Sequence, residues 1–359
     1  LVKAVRQANP NTIVVLENSY PDTIGWEQQN IPAMLWTTHA GAETGHAIAD
    51  VLFGDVSPSG RLTQTWYKST SDLPNILDYD IINDDRTYLY YQGSPLYPFG
   101  HGLTYTTFKY SNLRLSSGSV GPAGTVTVSV DVRNTGTRAS DEVVQLYTHQ
   151  RTSRVKQPVR QLRAFSRVSL APGQTKTVQL RLKASDLAFW DVTRSRWVVE
   201  ASAQDIMVGS SSADIRAHTT LQVRGERVPA RNLSVATRAE NFDSYQGATL
   251  APETKLRGTS VAATAGNWIG FKGVDLRAGA VSITAQVARA AVGPASIQVR
   301  LDDPVHGRLA GTLTVNSTGD VYTYTTAHAA IHGAWGMHDI YLVATGDVRV
   351  STFSLDKRR

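Results

Sequence analysis

The sequence predicts a multidomain protein in which a partial α/β sandwich is followed by two all-β sandwiches. A chain of 359 residues is too long for a single hydrophobic core. Near its beginning, short continuous apolar runs follow helical patterns, which is typical of buried parallel strands. After about residue 109, apolar and polar residues alternate with period two between turn signals, which is typical of antiparallel sandwiches.

The first region, residues 1–108, has an α/β pattern. Apolar residues at helical spacing lead from Leu1 into a continuous apolar run at 12–16, which predicts a buried parallel strand. A second strand is predicted at 33–36 and a helix at 45–53, before a Pro-Gly turn at 57–60. Because a natural chain rarely starts in the middle of a helix–strand unit, we expect this chain to begin inside a domain.

The second region, residues 109–224, is expected to form an immunoglobulin-like or fibronectin III-like β-sandwich. A Pro-Gly turn at 170–175 separates two of its predicted strands. The predicted strands of this region are TVTVSVDVRN (125–134), EVVQLYTH (142–149), TVQLRL (177–182) and WVVEAS (197–202).

The third region, residues 235–359, follows a polar stretch at 225–234 that is predicted to be a linker because it contains Pro229 and few apolar residues. Alternation then resumes in AVSITAQVA (280–288), ASIQVRLD (295–302) and DIYLVAT (339–345). This pattern predicts a second all-β domain, a jelly-roll sandwich.

Composition excludes several classes of function. The chain has no cysteine, which excludes disulfides, thiolate metal sites and a cysteine nucleophile. No apolar run is long enough to cross a bilayer, so we expect no membrane partner. The net charge of +6 is spread thinly, without a basic stripe or recognition helix, and we expect no nucleic-acid partner.

His39, Glu43 and His46 are close in sequence and have the residue types of a zinc site. The zinc-protease pattern, however, needs two His four residues apart on one helix, with the Glu next to the first. Here Gly41 and Gly45 interrupt the segment. The three residues therefore fit loop and helix-cap groups best, then the lining of a polar cleft, and a metal site least.

Other catalytic patterns are weak or absent. No G-x-S-x-G elbow indicates a serine hydrolase, and the glycines at 93–102 lack the strand–turn–helix order of a phosphate loop. Glycoside hydrolysis requires two carboxylates that flank the scissile bond. The acidic residues between Glu17 and Asp85 are candidates, but sequence spacing alone pairs none of them.

Longer motifs carry a family resemblance across nearly the whole chain. ADVLFGDVSPSGRL (49–62) and YPFGHGLTYTTF (97–108) resemble the C-terminal half of the α/β sandwich domain of glycoside hydrolase family 3. VDVRNTGTRASDEVVQLYTH (130–149) and WVVEASAQDIMVGSSS (197–212) resemble the fibronectin type III-like domain that follows it in that family. AENFDSYQG (239–247), GNWIGFKGVDL (266–276) and ASIQVRLDDPVHGRLAGTLTV (295–315) resemble a family 6 carbohydrate-binding module.

This resemblance implies the C-terminal fragment of a retaining exo-β-glycosidase, secreted and bacterial, that releases terminal sugars from plant β-glycans. In the family, an Asp on an N-terminal barrel is the nucleophile, and a Glu further upstream on the sandwich domain is the acid/base. Neither motif occurs here, so no residue of this chain inherits a catalytic role. The implied partners are an N-terminal catalytic chain and an oligo- or polysaccharide. A non-catalytic carbohydrate-binding or structural fragment is the alternative.

The substrate is implied by the segment at 78–100, which resembles the β-xylosidase-like branch, so β-xylosidase is favoured over β-glucosidase. His39, Glu43, Arg86 and Tyr88 are candidates for contacts on the aglycone side of the cleft. The run at 97–108 is expected to fasten the extended tail, with buried aromatic rings and with glycines that allow close backbone approach.

The C-terminal module departs from its family. Sugars in such modules stack on aromatic rings, but the usual loop Tyr aligns with Ala262 and the usual Trp with Val321. Trp268, Tyr322 and Tyr324 remain as candidate sugar contacts, although Trp268 and Tyr324 also fit core positions. This type of module is compatible with a structural calcium ion, for which Glu240 is the candidate ligand. No cofactor is expected for catalysis.

Overall fold

The structure, a computed structural model, describes residues 1–357, so Arg358 and Arg359 of the predicted third region lie outside the described residues. The chain divides into two compact units. Unit 1 comprises Leu1–Ala188 and Val199–Glu226, and unit 2 comprises Phe189–Val198 and the chain from Arg227 onward. No helix within residues 1–357 combines the length and the apolar character that crossing a bilayer requires.

The beginning of unit 1 is a small α/β region whose predicted strands and helix are confirmed to within a residue at each end. Two strands pair in parallel, with Ile13 opposite Ala33. The elements are α1 (Val2–Ala8), β1 (Ile13–Glu17), α2 (Gly25–Asn30), β2 (Ala33–Thr37), α3 (Thr44–Phe53) and α4 (Thr87–Tyr90).

The predicted burial of the first strand is wrong for this chain. Within the described residues, no side chain of α1, β1, α2, β2 or α3 is buried. Val15 in the middle of β1 is 38% exposed, and Phe53 at the end of α3 is 85% exposed. The physical reason is that a parallel sheet is buried only where helices or strands cover both of its faces. The sheet of β1 and β2 does not have that cover within the described residues.

The rest of unit 1 is the predicted β-sandwich. One sheet has the order β4-β12-β11-β6-β7, and the other has the order β3-β5-β8. Val126, Val128, Val130 and Val132 alternate along β5 and fill the core between the sheets. The strands are β3 (Phe108–Leu115), β4 (Ser119–Val120), β5 (Thr125–Asn134), β6 (Ser140–Gln150), β7 (Gln161–Leu170), β8 (Thr175–Lys183), β11 (Ser202–Gly209) and β12 (Ile215–Val223).

The segment at 197–202, predicted as one strand, is divided. Its first part belongs to a hairpin of unit 2, formed by β9 (Phe189–Asp191) and β10 (Arg196–Val198), while its last residue begins β11. Between them, the backbone pairs with the end of unit 1, since Ala201 N donates to Glu226 O and Glu226 N donates to Val199 O. This distant pairing is the reason for the break.

Unit 2 contains the predicted jelly-roll sandwich. The sheet β15-β16-β23-β18-β21, with β13 on β23, faces the sheet β14-β17-β22-β19-β20 across one apolar core. Phe271 and Phe353 meet in this core with their ring centroids 4.8 Å apart. The strands are β13 (Thr237–Arg238), β14 (Ser244–Gln246), β15 (Thr249–Pro252), β16 (Thr259–Ala263), β17 (Trp268–Asp275), β18 (Ala280–Ala288), β19 (Ala295–Leu301), β20 (Arg308–Val315), β21 (Thr325–Ala334), β22 (Met337–Ala344) and β23 (Val348–Lys357).

The end of the predicted linker at 225–234 contributes to this core. Leu233 is buried among the core side chains. Arg231 is also buried, with its Nη2 atom 2.7 Å from Asp243 Oδ1 and its guanidinium 5.3 Å from the centroid of the Phe271 ring. Burial of a charged side chain is compatible with folding here because a carboxylate pairs with it. The exact domain boundaries stay predictions.

Candidate functional site

Polar side chains meet at the carboxyl ends of β1 and β2. Glu17 is the last residue of β1, and the next residue, Asn18, accepts a hydrogen bond of 2.7 Å from Trp36 Nε1. Asn18 also donates to Asp22, and His39 Nδ1 lies 3.5 Å from Glu17 Oε1. We call these five residues the strand-end cluster. Ligands of open α/β sheets bind outside the carboxyl ends of parallel strands, so this cluster is the candidate site of unit 1.

The sequence grouping of His39, Glu43 and His46 is divided by the structure. His39 lies beside Glu17 instead, while Glu43 Oε2 and His46 Nδ1 form a separate, highly exposed contact of 2.6 Å. Sequence reasoning missed Asn18 and Trp36, although their position after and within predicted parallel strands was a usable signal. Across the part of the chain that the structure describes, no group of three or more His, Asp or Glu side chains is placed to hold a metal ion.

The two other predicted sugar contacts of unit 1 are engaged in local packing. Arg86 Nη2 lies 3.1 Å from Asp84 Oδ2. The Tyr88 ring stacks on Phe99 with 4.0 Å between centroids, and its hydroxyl accepts a hydrogen bond of 3.3 Å from Leu162 N. Burial raises the pKa of Tyr88. These contacts hold the loop against the sandwich strands, and the sugar contacts of His39, Glu43, Arg86 and Tyr88 stay predictions.

The run at 97–108 holds the extended tail through backbone hydrogen bonds, and its glycines allow the close backbone approach that the sequence predicted. Gly100 N donates to Leu62 O at 2.7 Å, and Leu62 N donates to His101 O at 2.9 Å. A Cβ atom at Gly100 would overlap the Gln145 side-chain oxygen, and one at Gly102 would overlap a backbone carbonyl oxygen. The aromatic rings of this run are less buried than predicted, since most are half-buried and Tyr105 is exposed.

A buried ionic network, which sequence reasoning missed, lies beside this run. Arg61 Nη2 is 3.0 Å from Glu142 Oε2, and the Tyr110 hydroxyl donates to Glu142 Oε1 at 2.7 Å. The side chains of Arg61 and Glu142 are only 9% and 3% exposed. Burial raises the pKa of Glu142, against the opposing effects of the Tyr110 hydrogen bond and the Arg61 charge. The network therefore joins the 57–62 segment to β6 and β3.

In the jelly-roll domain of unit 2, two of the aromatic residues that were predicted to contact sugar, Trp268 and Tyr324, are half-buried. Trp268 Nε1 donates to Gln246 Oε1 at 3.2 Å, and its ring meets Tyr341 edge-on at 5.2 Å between centroids. The hydroxyl of Tyr324 is buried, and burial raises its pKa. Tyr322 differs from both, because two cationic side chains lie over its ring.

The predicted calcium ligand Glu240 is paired with a cationic side chain. Arg238 places Nη2 3.1 Å from Glu240 Oε2 and Nη1 3.0 Å from Glu253 Oε2. A guanidinium thus stands where a calcium ion would need to bind the carboxylate. The donor set around Glu240 does not fit a calcium ion, and the calcium site stays a prediction that these residues do not support.

Three segments of the chain match models of known protein families. The sequence model of the glycosyl hydrolase family 3 C-terminal domain matches residues 1–105, that of the fibronectin type III-like domain matches residues 142–212, and that of the family 6 carbohydrate binding module matches residues 238–357. The three matches follow the order read from the motifs, and the predicted resemblance is confirmed.

Similar proteins include a β-glucosidase of Rhizobium radiobacter, 40% identical over 243 residues, which cover 64% of this chain and 30% of that protein. A β-xylosidase of Formosa agariphila is 40% identical over 215 residues, 59% of this chain and 30% of that protein. A solved structure of β-D-glucoside glucohydrolase from Trichoderma reesei is 35% identical with a TM-score of 0.56, over 62% of this chain and 35% of that one.

The chain spans about a third of the length of these relatives. The family 6 match covers residues 238–357, within the third predicted region. In sequence order, the chain therefore contains segments that match the models of a glycosyl hydrolase family 3 C-terminal domain, a fibronectin type III-like domain and a family 6 carbohydrate binding module.

Proposed function

We propose that this chain is the C-terminal portion of an extracellular, retaining exo-β-glycosidase that acts together with an N-terminal portion carrying the catalytic carboxylates. The observation that supports this proposal is the uncovered apolar surface of the partial α/β sandwich. In β1, Ile13 and Val15 are exposed, and in α1 so is Val5. Parallel sheets occur almost only with both faces covered, so further polypeptide belongs against this surface.

The energetic reason for such an association is the burial of these side chains. Each Val, Ile or Phe that is moved from water into a packed interface contributes roughly 1.5–3 kcal/mol. Phe53 is 85% exposed and adds the largest apolar ring to the same region. An N-terminal portion that covers β1, β2 and α3 would therefore be bound by the same contacts that complete the sandwich.

The chemistry proposed for the complete enzyme requires two carboxyl groups about 5–5.5 Å apart, one as nucleophile and one as acid/base. The family resemblance supports a position for both outside this chain. The part of unit 1 that would adjoin the reacting sugar is the strand-end cluster, where Glu17, Asn18 and His39 offer hydrogen-bond donors and acceptors at a sheet edge. These residues would orient the substrate or the acid/base loop and would transfer no proton themselves.

Both β-glucosides and β-xylosides are candidate substrates, since relatives of each kind are similar to this chain. The β-xyloside preference rests on the segment at 78–100, in which the short helix α4 lies between loops and Arg86 and Tyr88 make local contacts. A non-catalytic carbohydrate-binding fragment is the second candidate, and the family 6 module at 238–357 supports it.

Hydrolysis of 4-nitrophenyl β-D-xyloside and β-D-glucoside tests the proposal. The chain alone should release no nitrophenol, and the chain co-expressed with the N-terminal portion of the same enzyme should hydrolyse at least one substrate. Val15→Asp should abolish both the association and the activity, because it introduces a charge into the proposed interface. Val292→Asp, at a residue 93% exposed in unit 2, is the matched control and should change neither.

Hydrolysis by the chain alone would overturn the proposed division of the enzyme. Unchanged association of Val15→Asp, in a variant whose circular dichroism matches the parent, would overturn the proposed interface. No hydrolysis by the co-expressed pair would leave carbohydrate binding as the function of the chain.

A further inference from the structure

One end of the family 6 module carries two cationic side chains around Tyr322. Lys255 Nζ lies 5.9 Å from the centroid of the Tyr322 ring, and Arg349 Cζ lies 5.3 Å from it. Lys255 is exposed in the turn between β15 and β16, and no carboxylate of residues 1–357 forms an ion pair with it. The amine is therefore accessible to a ligand.

Arg349 is held in place without being neutralised. It lies on β23 directly opposite Ala262 on β16. Its Nη1 atom donates to Pro252 O at 3.0 Å and to Val321 O at 3.4 Å. Both acceptors are backbone carbonyls, so they fix the orientation of the guanidinium and leave its charge uncompensated.

The acidic groups nearby are engaged in other contacts. Asp320 accepts hydrogen bonds from Tyr322 N at 2.6 Å and from Thr323 N at 2.7 Å, and these lower its pKa. Glu253 is paired with Arg238. Asp320 offsets part of the Lys255 charge, but the set of Lys255, Arg349 and Asp320 keeps a net positive charge.

We propose that Lys255, Tyr322 and Arg349 form a binding site for a uronate residue of an acidic polysaccharide. A guanidinium with free N–H groups matches a carboxylate in geometry, and the lysine adds a second positive charge. The Tyr322 ring attracts both cationic groups and holds them beside each other. The inference deepens the proposed function, because it assumes that the module binds carbohydrate and names the acidic class of ligand.

Isothermal titration of the full chain with glucuronoxylan, with the same polymer after reduction of its carboxyl groups, and with polygalacturonate tests this site. We expect binding to at least one acidic polymer and at least tenfold weaker binding to the reduced xylan. Lys255→Gln should weaken acidic binding about tenfold. Lys272→Gln, which removes an exposed positive charge elsewhere on the module, is the matched control and should have no effect.

Arg349→Lys separates geometry from charge, because it keeps the positive charge and loses the two-pronged hydrogen bonding of arginine. It should weaken acidic binding at least fivefold with the melting temperature of the module unchanged.

Equal affinity for native and reduced xylan would overturn the acidic preference and leave carbohydrate binding by the module intact. Equal losses in Lys255→Gln and Lys272→Gln would mean unspecific attraction of a polyanion and would also overturn it. No binding to any polymer overturns the site and the module's proposed sugar binding, whereas glycoside hydrolysis by the complete enzyme is measured separately.

Discussion

Gly100 is a residue whose lack of a side chain fixes how closely the tail approaches the sandwich. Its φ of +82° is in the left-handed region, and a Cβ atom there would overlap the Gln145 oxygen and lie 2.9 Å from the Tyr147 hydroxyl. Gln145 cannot move aside easily, because its Nε2 atom donates to Gly100 O at 3.1 Å. Gly173 has a similar φ of +76°, yet a Cβ atom there would meet nothing within 4 Å.

This contrast predicts different costs for two alanine substitutions. Gly173→Ala should lower the free energy of unfolding of unit 1 by about 1–2 kcal/mol, the cost of a left-handed backbone. Gly100→Ala should cost about 1–3 kcal/mol more, because it adds overpacking against a buried amide. Urea denaturation followed by circular dichroism measures both values. Equal losses in the two variants would show that the close approach to Gln145 has no energetic weight.

Glu253 is a residue whose charge is stabilised by its neighbours. Hydrogen bonding from Ser351 and pairing with Arg238 lower the pKa of the Glu253 carboxyl below the 4.5 of a free side chain. A carboxyl whose pKa is lower in the folded state stabilises the fold above its unfolded-state pKa. That stabilisation is lost as pH falls through the folded-state pKa.

Glu253→Gln should therefore lower the free energy of unfolding of unit 2 at pH 7 by about 1.5–3 kcal/mol, the range for hydrogen bonds to charged groups. The difference from the parent should shrink as the pH is lowered below 4.5. Urea titrations at pH 7, 5 and 3 measure it. Asp275→Asn, at an exposed pair with Arg277, is the control and should lower the free energy of unfolding at pH 7 by less than about 1 kcal/mol. A difference for Glu253→Gln that is constant over this pH range would contradict the prediction.

Between elements, the network of Arg61, Glu142 and Tyr110 ties the 57–62 segment to the sandwich. Its charges are buried, so removal of Arg61 takes away the cationic partner that directly contacts the buried Glu142 carboxylate. Arg167 on β7 and Asp141 on β6 provide a comparison, with a contact of 2.5 Å but with Arg167 63% exposed. Solvent screens a pair of this kind strongly.

Arg61→Met should lower the free energy of unfolding of unit 1 by about 3–5 kcal/mol. Arg167→Met should lower it by less than about 1 kcal/mol. The double variant Arg61→Met/Glu142→Met should recover part of the loss, since it removes the charge that the single variant leaves buried. Thermal and urea unfolding measure all three variants. A single variant no worse than Arg167→Met would show that the network does not hold the segment.

Elements set by local patterns were predictable from the sequence, and those set by distant pairing were not. Residues 280–288 alternate in burial as they alternate in sequence, and the predicted strand is β18. The segment at 197–202 has an equally good strand pattern but is divided, because Glu226 pairs with its middle. The strand-end cluster has the same origin, since Trp36 reaches Asn18 only through parallel pairing of β1 and β2.

At the scale of the whole molecule, apolar side chains are deeply buried in some strands and exposed in others. Val126, Val128, Val130 and Val132 of β5 are fully enclosed between two sheets. In contrast, β1 and β2 form a two-stranded sheet whose side chains all stay partly in water within this described chain. Regions with few buried apolar contacts open with low free energy, whereas core strands open only with the unit as a whole.

Amide hydrogen exchange should therefore separate the two parts of unit 1. In the chain alone, the amides of β1, β2 and α3 should exchange at least a hundredfold faster than those of β5 and β6. Addition of the proposed N-terminal portion should slow exchange in β1 and β2, because it buries Ile13 and Val15, while the amides of β19 in unit 2 serve as an internal control and stay unchanged. Protection of β1 equal to that of β5 in the isolated chain would mean that the sheet is stable without cover, and the argument for a covering portion would fail.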